Sequence, residues 1–223
     1  MGPTSDRRAR ILLINPNSNE ATTAMMVAIA KSAAPDDFDI IGATATRAPQ
    51  MIVTPDALDA AAAEVEEIAL AHQMSCEGII VSAFGDPGLA GIKAAMTLPA
   101  VGIGESAMLA AAEGGRRFGV ATTTPQLKAK IDALPDALGL RSRYTGARFA
   151  AGDPQVLMRD PSRLRSALAD AVEACIAQDG ADAVVIGGGP LGEVARELQS
   201  MFTVPVIAPI PSAVARIIRL VRA

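Results

Sequence analysis

Three stretches of this 223-residue chain return at a nearly constant distance further on, and that recurrence restricts the fold more than any other feature. ILLINPNSN from Ile11 is echoed by FGVATTTPQ from Phe118. EGIIVSAFGDPGL from Glu77 is echoed by DAVVIGGGPL from Asp182, and LPAVGIGESA from Leu98 by VPVIAPIPSA from Val204. The spacings are 107, 105 and 106 residues. One supersecondary series used twice predicts two similar halves, each with its own sheet. The halves are expected at residues 1–105 with 205–223, and at 106–204. The last helical segment, Ser212 to Arg222, corresponds to the one that begins at Ser106, and it is expected to pack back on the first half.

Each half reads as an α/β series. Apolar runs at 11–14, 38–45, 78–82 and 100–103 predict buried strands. A helix is expected from Asn19 or Glu20, another from Pro55 toward Met74 with Leu58, Ala61, Ala62, Val65, Ile68 and Ala69 on one stripe, and a third over 87–96. In the second half, Leu164, Ala167, Leu168, Ala171, Val172 and Cys175 form the stripe of a helix over 163–178. Strands separated by helices in this way predict parallel sheets.

Composition narrows the partners. The net charge is −4 and only 3% of residues are aromatic, so no basic surface with interleaved aromatics is available for nucleic acid. Arg7, Arg8 and Arg10 precede an apolar run of four residues, Ile11–Ile14, too short for a signal peptide or a membrane span. A soluble cytoplasmic protein without membrane contact is expected. Two cysteines and one histidine make neither a disulfide framework nor a zinc site.

In parallel sheets, ligands bind at the carboxyl ends of the strands, where helix N-termini and backbone amides converge. Four polar turns occupy such ends here: 15–19, 83–88, 122–126 and 188–193. If the halves face each other, Asn15, Asn17 and Ser18 of the first turn oppose Thr122, Thr123 and Thr124 of the third. Ser82, Ala83, Phe84 and Gly85 oppose Gly188, Gly189 and Pro190. Hydroxyl and amide donors at two helix N-termini suit a carboxylate, an imide or an enolate-like oxyanion. Each turn also has a plain structural role, since Asn, Ser and Thr before a helix are ordinary caps. Arg47, after the second strand, is placed to clamp a carboxylate or to be solvated. The glycines at 187–189 do not make a dinucleotide fingerprint, because they do not follow the first strand of a βαβ unit as GxGxxG.

NPNS after the first strand, FGDPGL after the third, VGIGESA after the fourth and the Gly-rich turn before PLGE together resemble the aspartate/glutamate racemase superfamily, in particular its hydantoin and allantoin racemase branch. The resemblance spans about Ile11 to about Leu220. It implies two flavodoxin-like domains with the active site in the cleft between them, no pyridoxal phosphate or other cofactor, no metal, and a homo-oligomer. It also implies a small carboxylate, amino acid or cyclic ureide or amide as substrate. Arylmalonate decarboxylase and maleate isomerase resemble the same scaffold, which extends the implied chemistry to lyases and isomerases.

In the racemases of that superfamily a cysteine at each strand end flanks the carbon next to the substrate carbonyl. One thiolate removes a proton and the opposite thiol returns one. Matching the motifs places those cysteines at Ala83 and Gly188, and a methyl group and a hydrogen atom carry no proton. Cys76 lies seven residues before Ala83, roughly 20 Å along the strand toward the opposite edge. Cys175 lies on a core stripe, so both native thiols read as structural. His72 extends its helix stripe, four residues before Cys76.

Asp86, Glu193 and Glu105 are the carboxylates nearest the cleft and the candidate replacements. Each also has a structural role open to it: turn amides for Asp86, a helix start for Glu193, the junction between halves for Glu105. The expectation is a superfamily enzyme acting at or next to a carbonyl without cysteine, as an isomerase, lyase or hydrolase. The alternatives are a small-carboxylate binding protein derived from a racemase and a chain whose thiols were removed by design.

Overall fold

A computed structural model describes residues 8–223; Arg7 lies outside the described residues. In the first part of the chain, strands β1 (Ala9–Asn15), β2 (Phe38–Thr44), β3 (Gly78–Val81) and β4 (Ala100–Gly102) alternate with helices α1 (Glu20–Ala33), α2 (Pro55–His72) and α3 (Leu89–Ala95). Helix α4 (Ile103–Ala112) then leads into β5 (Phe118–Thr122), α5 (Lys128–Ala137), β6 (Tyr144–Phe149), the single turn α6 (Pro154–Leu157) and α7 (Pro161–Ala177). Strand β7 (Ala183–Gly187), α8 (Gly192–Gln199), β8 (Val206–Ile207) and α9 (Pro209–Val221) complete it.

The strands form two four-stranded sheets, ordered β2-β1-β3-β4 and β6-β5-β7-β8. Every pairing is parallel. The two-sheet α/β fold predicted from the repeat is therefore present, with the same strand order in both halves. The order reverses direction at β1 and at β5, the central strands whose carboxyl ends are the switch points where ligands sit in open α/β sheets.

Burial explains the strand sequences. Ile11 through Ile14 are wholly buried, as are Ala183 through Ile186, because helices cover both faces of each sheet. The helices start where side chains replace missing backbone partners. Asn19 accepts from the amide of Thr22, Thr54 from that of Ala57, and Asp160 from that of Arg163. Two starts differ from expectation. Helix α3 begins at Leu89 rather than Pro87, because Gly88 takes a left-handed conformation (φ 76°). Helix α9 begins at Pro209 rather than Ser212, since prolines fit a first turn whose amides have no helical acceptor.

The chain exchanges helices between its halves. Ile210, Ala213, Val214 and Ile217 of α9 join the core of Ile11, Leu13 and Ile80 in the first sheet. Ala107, Met108 and Ala111 of α4 join Phe118, Val120 and Val185 of the second. Strand β8 pairs with β7 through Val184–Val206 and Val185–Ile207. Pairing thus keeps residues 206 and 207 with the second sheet, so the return to the first half falls at the start of α9, a little beyond residue 205. On the outward path Ile103 still packs in the first core, and Ala107 is the first residue of α4 in the second. Among the described residues no helix is long and apolar enough to cross a membrane.

Candidate active site

A cavity of about 370 Å³ opens between the carboxyl ends of the two sheets. The first half contributes Asn17 and Asn19 from the turn after β1, Thr22, Met25 and Met26 from α1, and Ser82, Ala83 and Phe84 from the turn after β3. Gln50, Met51 and Ile52 reach it from the loop after β2, and Leu58 from α2. The second half contributes Thr123, Thr124 and Leu127 after β5, Met158 after α6, and Gly187 through Leu191 after β7.

The turn after β1 is built by one side chain. Asn15 is wholly buried, accepts from the amide of Asn17, and donates to Asn17 Oδ1 and Thr23 Oγ1, both at 2.9 Å. This network holds Asn17 at the cavity wall while Asn15 itself stays behind it. Opposite, Thr122 donates through Oγ1 to the carbonyl of Gly187 at 2.5 Å and so ties the tips of β5 and β7 together. Thr122 is consumed in that bond, and Thr123 and Thr124 face the cavity. Pro125–Leu127 then forms a 3-10 turn that runs into α5, and Gly189–Leu191 forms a matching one into α8. Three helical N-termini, those of α1, α5 and α8, therefore converge on one space, and their dipoles favour a negative or carbonyl oxygen there.

The opening between the halves is narrow at one point. A β-carbon added to Gly189 would lie 2.6 Å from Met26 Sδ, and Met26 Sδ also accepts from Ser82 Oγ at 3.1 Å. Glycine at 189 is what lets the second lip approach α1 this closely.

Several residues expected at the site lie elsewhere, each for a local reason. Asp86 is buried, and its carboxylate accepts from the amides of Gly104 and Glu105 at 2.8 and 2.7 Å, facing away from the cavity. Burial pushes its carboxyl up to about 7, against those two hydrogen bonds, which pull it down. Glu105 accepts from Lys93 Nζ at 2.9 and 2.8 Å through its two oxygens. Glu193 is exposed on the first turn of α8. Arg47 pairs with Glu67 at 2.7 Å and Glu64 at 3.5 Å. Ser18 bonds through its amide to the carbonyl of Pro49, and Gly85 faces a second hollow behind the turn.

Both thiols are in the cores. Cys76 Sγ points to the carbonyl of His72 at 3.4 Å, so the spacing of four reflects a backbone contact and not a side-chain pair. Cys175 packs against Gly119 under β5, where burial pushes its thiol up to about 12. Neither borders the cavity. Among the described residues no group of three or more His, Cys, Asp or Glu side chains could hold a metal ion.

Among the described residues, none that lines the resulting wall has an ionisable side chain. Its polar groups are amides and hydroxyls, and its remaining surface is sulfur, aliphatic carbon and one phenyl ring. Of the apolar part, Ala83, Phe84 and Pro190 follow from the turns, and the methionines do not. Met25 and Met26 lie three and four residues after Thr22, on the helical face that a cavity at the start of α1 must touch. That spacing is the one signal the sequence held for them.

Fold and site together define an α/β protein of two like halves with a small-molecule cavity at paired switch points. The profile of the Asp/Glu/Hydantoin racemase family matches residues 11–217, and the chain belongs to that family. A hydantoin racemase from Pseudomonas sp. (strain NS671) is 29% identical over 199 residues, covering 89% of this chain and 80% of that protein. A hydantoin racemase from Paenarthrobacter aurescens is 26% identical over 208 residues, covering 92% and 87%. The structure of allantoin racemase from Klebsiella pneumoniae superposes with a TM-score of 0.90 at 26% identity, covering 96% of this chain and 88% of that one.

Proposed function

We propose that the protein is a cofactor-independent enzyme of this family. It acts at the carbon next to a carbonyl of a small carboxylate, amino acid or cyclic ureide or amide, with water carrying any proton that moves. The observation that supports this most is the gathering of three helical N-termini on the cavity; among the described residues, no side chain lining it takes up or releases a proton near neutral pH. Such a wall stabilises an oxyanion without supplying an acid or a base.

That asymmetry ranks the chemistries. Racemisation requires a base to remove a carbon-bound proton, and ring hydrolysis requires water to be activated. Loss of a carboxyl group asks less of the wall. The carbon–carbon bond breaks, carbon dioxide leaves, and the electron pair stays on the α-carbon and is delocalised onto the adjacent carbonyl oxygen as an enolate. That enolate then takes its proton from water. Desolvation of the carboxylate against Met51, Ile52 and Leu127 and stabilisation of the enolate oxygen at the helix N-termini both favour the step. We therefore place a lyase reaction first among the three.

The test is proton NMR in deuterated buffer with hydantoins, allantoin, aspartate, glutamate and substituted malonates. Carbon dioxide release with deuterium incorporation supports the lyase form. Exchange at the α-carbon without bond cleavage moves the assignment to a racemase, and ring opening moves it to a hydrolase. Saturable binding without change in any compound ends the enzymatic proposal. It would leave the second reading, a small-carboxylate binding protein, which the lack of any proton-carrying side chain in the wall specifically favours.

A further inference from the structure

The point where the chain crosses between its halves carries a group that the chemistry above does not use. Asp86 belongs to the turn after β3, in the first half, and its neighbours Ser82, Ala83 and Phe84 line the cavity. Its carboxylate spans the first turn of α4, accepting from Gly104 at 2.8 Å and Glu105 at 2.7 Å. Helix α4 packs on the second sheet, with Ala107, Met108 and Ala111 against Phe118, Val120 and Val185. Asp86 thus caps, from the turn after β3, the helix that carries the chain from the first core at Ile103 into the second at Ala107.

Three features show that the local chain is shaped around this contact. Asp86 is the one non-glycine residue with a positive φ among the described residues, at 51°, a conformation that is uncommon outside glycine and that Asp and Asn adopt more readily than other residues. A β-carbon on Gly102 would fall 2.0 Å from Asp86 Cγ, although the backbone there (φ −99°, ψ 155°) suits any residue. A β-carbon on Gly104 would lie 3.0 Å from Asp86 Oδ2. The equivalent helix of the other half, α9, has no side-chain cap and starts instead on Pro209, so the repeat alone does not demand the carboxylate.

The surroundings reinforce the junction. Lys93 of α3 and Arg216 of α9 pair with Glu105 at 2.8 and 3.8 Å. On the other side of the turn Asp59 of α2 pairs with Lys130 of α5, again one residue from each half, at 2.7 Å.

We infer that Asp86 is a positioning residue: by capping α4 from the turn after β3, it fixes the first lip of the cavity, at Ala83, against the half that carries the second lip, at Gly188. The inference rests on the site assigned above but not on its chemistry, because the test uses no substrate.

Hydrogen exchange followed by mass spectrometry on the full chain reads it directly. Asp86→Asn keeps the side-chain size and tolerates the left-handed backbone, yet turns one acceptor into a donor facing an amide. Exchange at 187–191, on the opposite lip, is expected to accelerate on the order of tenfold while α7 keeps its wild-type rate. Acceleration confined to 84–89 and 103–106 would show an ordinary cap and overturn the inference, as would equal acceleration of α7.

A thermodynamic cycle is the second arm, read in denaturant. Gly102→Ala is expected to be poorly tolerated in the wild type and to lose most of its effect in Asp86→Gly, which removes the carboxylate without straining the backbone. An equal effect in both backgrounds would also overturn the inference. If Gly102→Ala does not fold alone but folds with Asp86→Gly, that rescue is itself the coupling expected.

Discussion

Met26 and Gly189 meet across the cavity mouth: a β-carbon at 189 would sit 2.6 Å from the Met26 sulfur, so the two halves touch at a place that admits no added atom. Gly189→Ala should therefore push the second lip away from α1. Methionine is flexible, which keeps the expected cost near 1–2 kcal/mol, a fall of roughly 2–6 °C in Tm. Met26→Ala alone removes a wholly buried core side chain and should cost about 2–5 kcal/mol, but in that background Gly189→Ala should add little, because the sulfur is gone. Thermal unfolding of the single and double variants checks this; additive losses would mean that the contact carries no energy.

Thiols placed at the two lips test whether they face a common carbon. Ala83 already has a β-carbon at the cavity wall, so Ala83→Cys should fold with little loss. Gly188 differs, because φ is 150° and an added β-carbon would lie 3.0 Å from Leu191 Cδ1. Gly188→Cys should cost about 1–3 kcal/mol. The double variant should show faster deuterium exchange at the α-carbon of a hydantoin or amino acid than the wild type. If it folds and shows no increase, the two lips do not present thiols to a common carbon.

The native cysteines offer the converse control. Cys175 is wholly buried and its thiol is raised to about 12, while Cys76 is 7% exposed and raised by the same desolvation. Neither should react with a thiol reagent until the protein is unfolded. Cys76→Ala should leave ligand binding unchanged, and Cys175→Ala should lower stability by about 1–2 kcal/mol without affecting the cavity. Colorimetric thiol titration with and without denaturant is the measurement. Rapid labelling in native buffer would place a thiol within reach of solvent and of the site.

The repeat made the two sheets legible before any coordinates, because strands that are buried on both faces announce themselves as uninterrupted apolar runs. Strand β6 was not announced. Its residues, Tyr144–Phe149, are all half-buried on a sheet edge, Gly146 interrupts them at φ 124°, and the pairing with β5 shifts register there. The polar half of the site was legible as turns, since Asn17, Thr123 and Thr124 are where strand ends must be. The methionine half was not, because Met51 and Met158 come from loops whose course depends on tertiary packing. Asp86 shows the opposite difficulty. Its position in the turn after β3 put it close to the cleft in sequence, but the left-handed backbone turns its carboxylate back toward Gly104 and Glu105.

That orientation gives Asp86 a distinct pH signature. Burial raises its carboxyl from 3.8 to about 7, and the Glu105 charge adds to the rise, while the Gly104 and Glu105 amides and Lys93 oppose it. The folded pKa lies above the unfolded one, so between about pH 4 and about pH 7 the folded protein holds a proton that the unfolded chain has released. Asp86 thus favours folding most at low pH, and that contribution is lost as pH rises through about 7. Asp86→Asn has no such titration. The stability of the wild type relative to this variant should fall steadily from about pH 4 to about pH 7 and then level, with about 4 kcal/mol as an upper bound on the change. The other charges near the carboxyl, Glu105, Lys93, Arg216, Asp59 and Lys130, are common to both proteins and cancel in the comparison to first order. Urea unfolding across that range gives the difference directly. A wild-type advantage that grows with pH would mean that the two amides outweigh burial, and that Asp86 is ionised wherever the protein is folded.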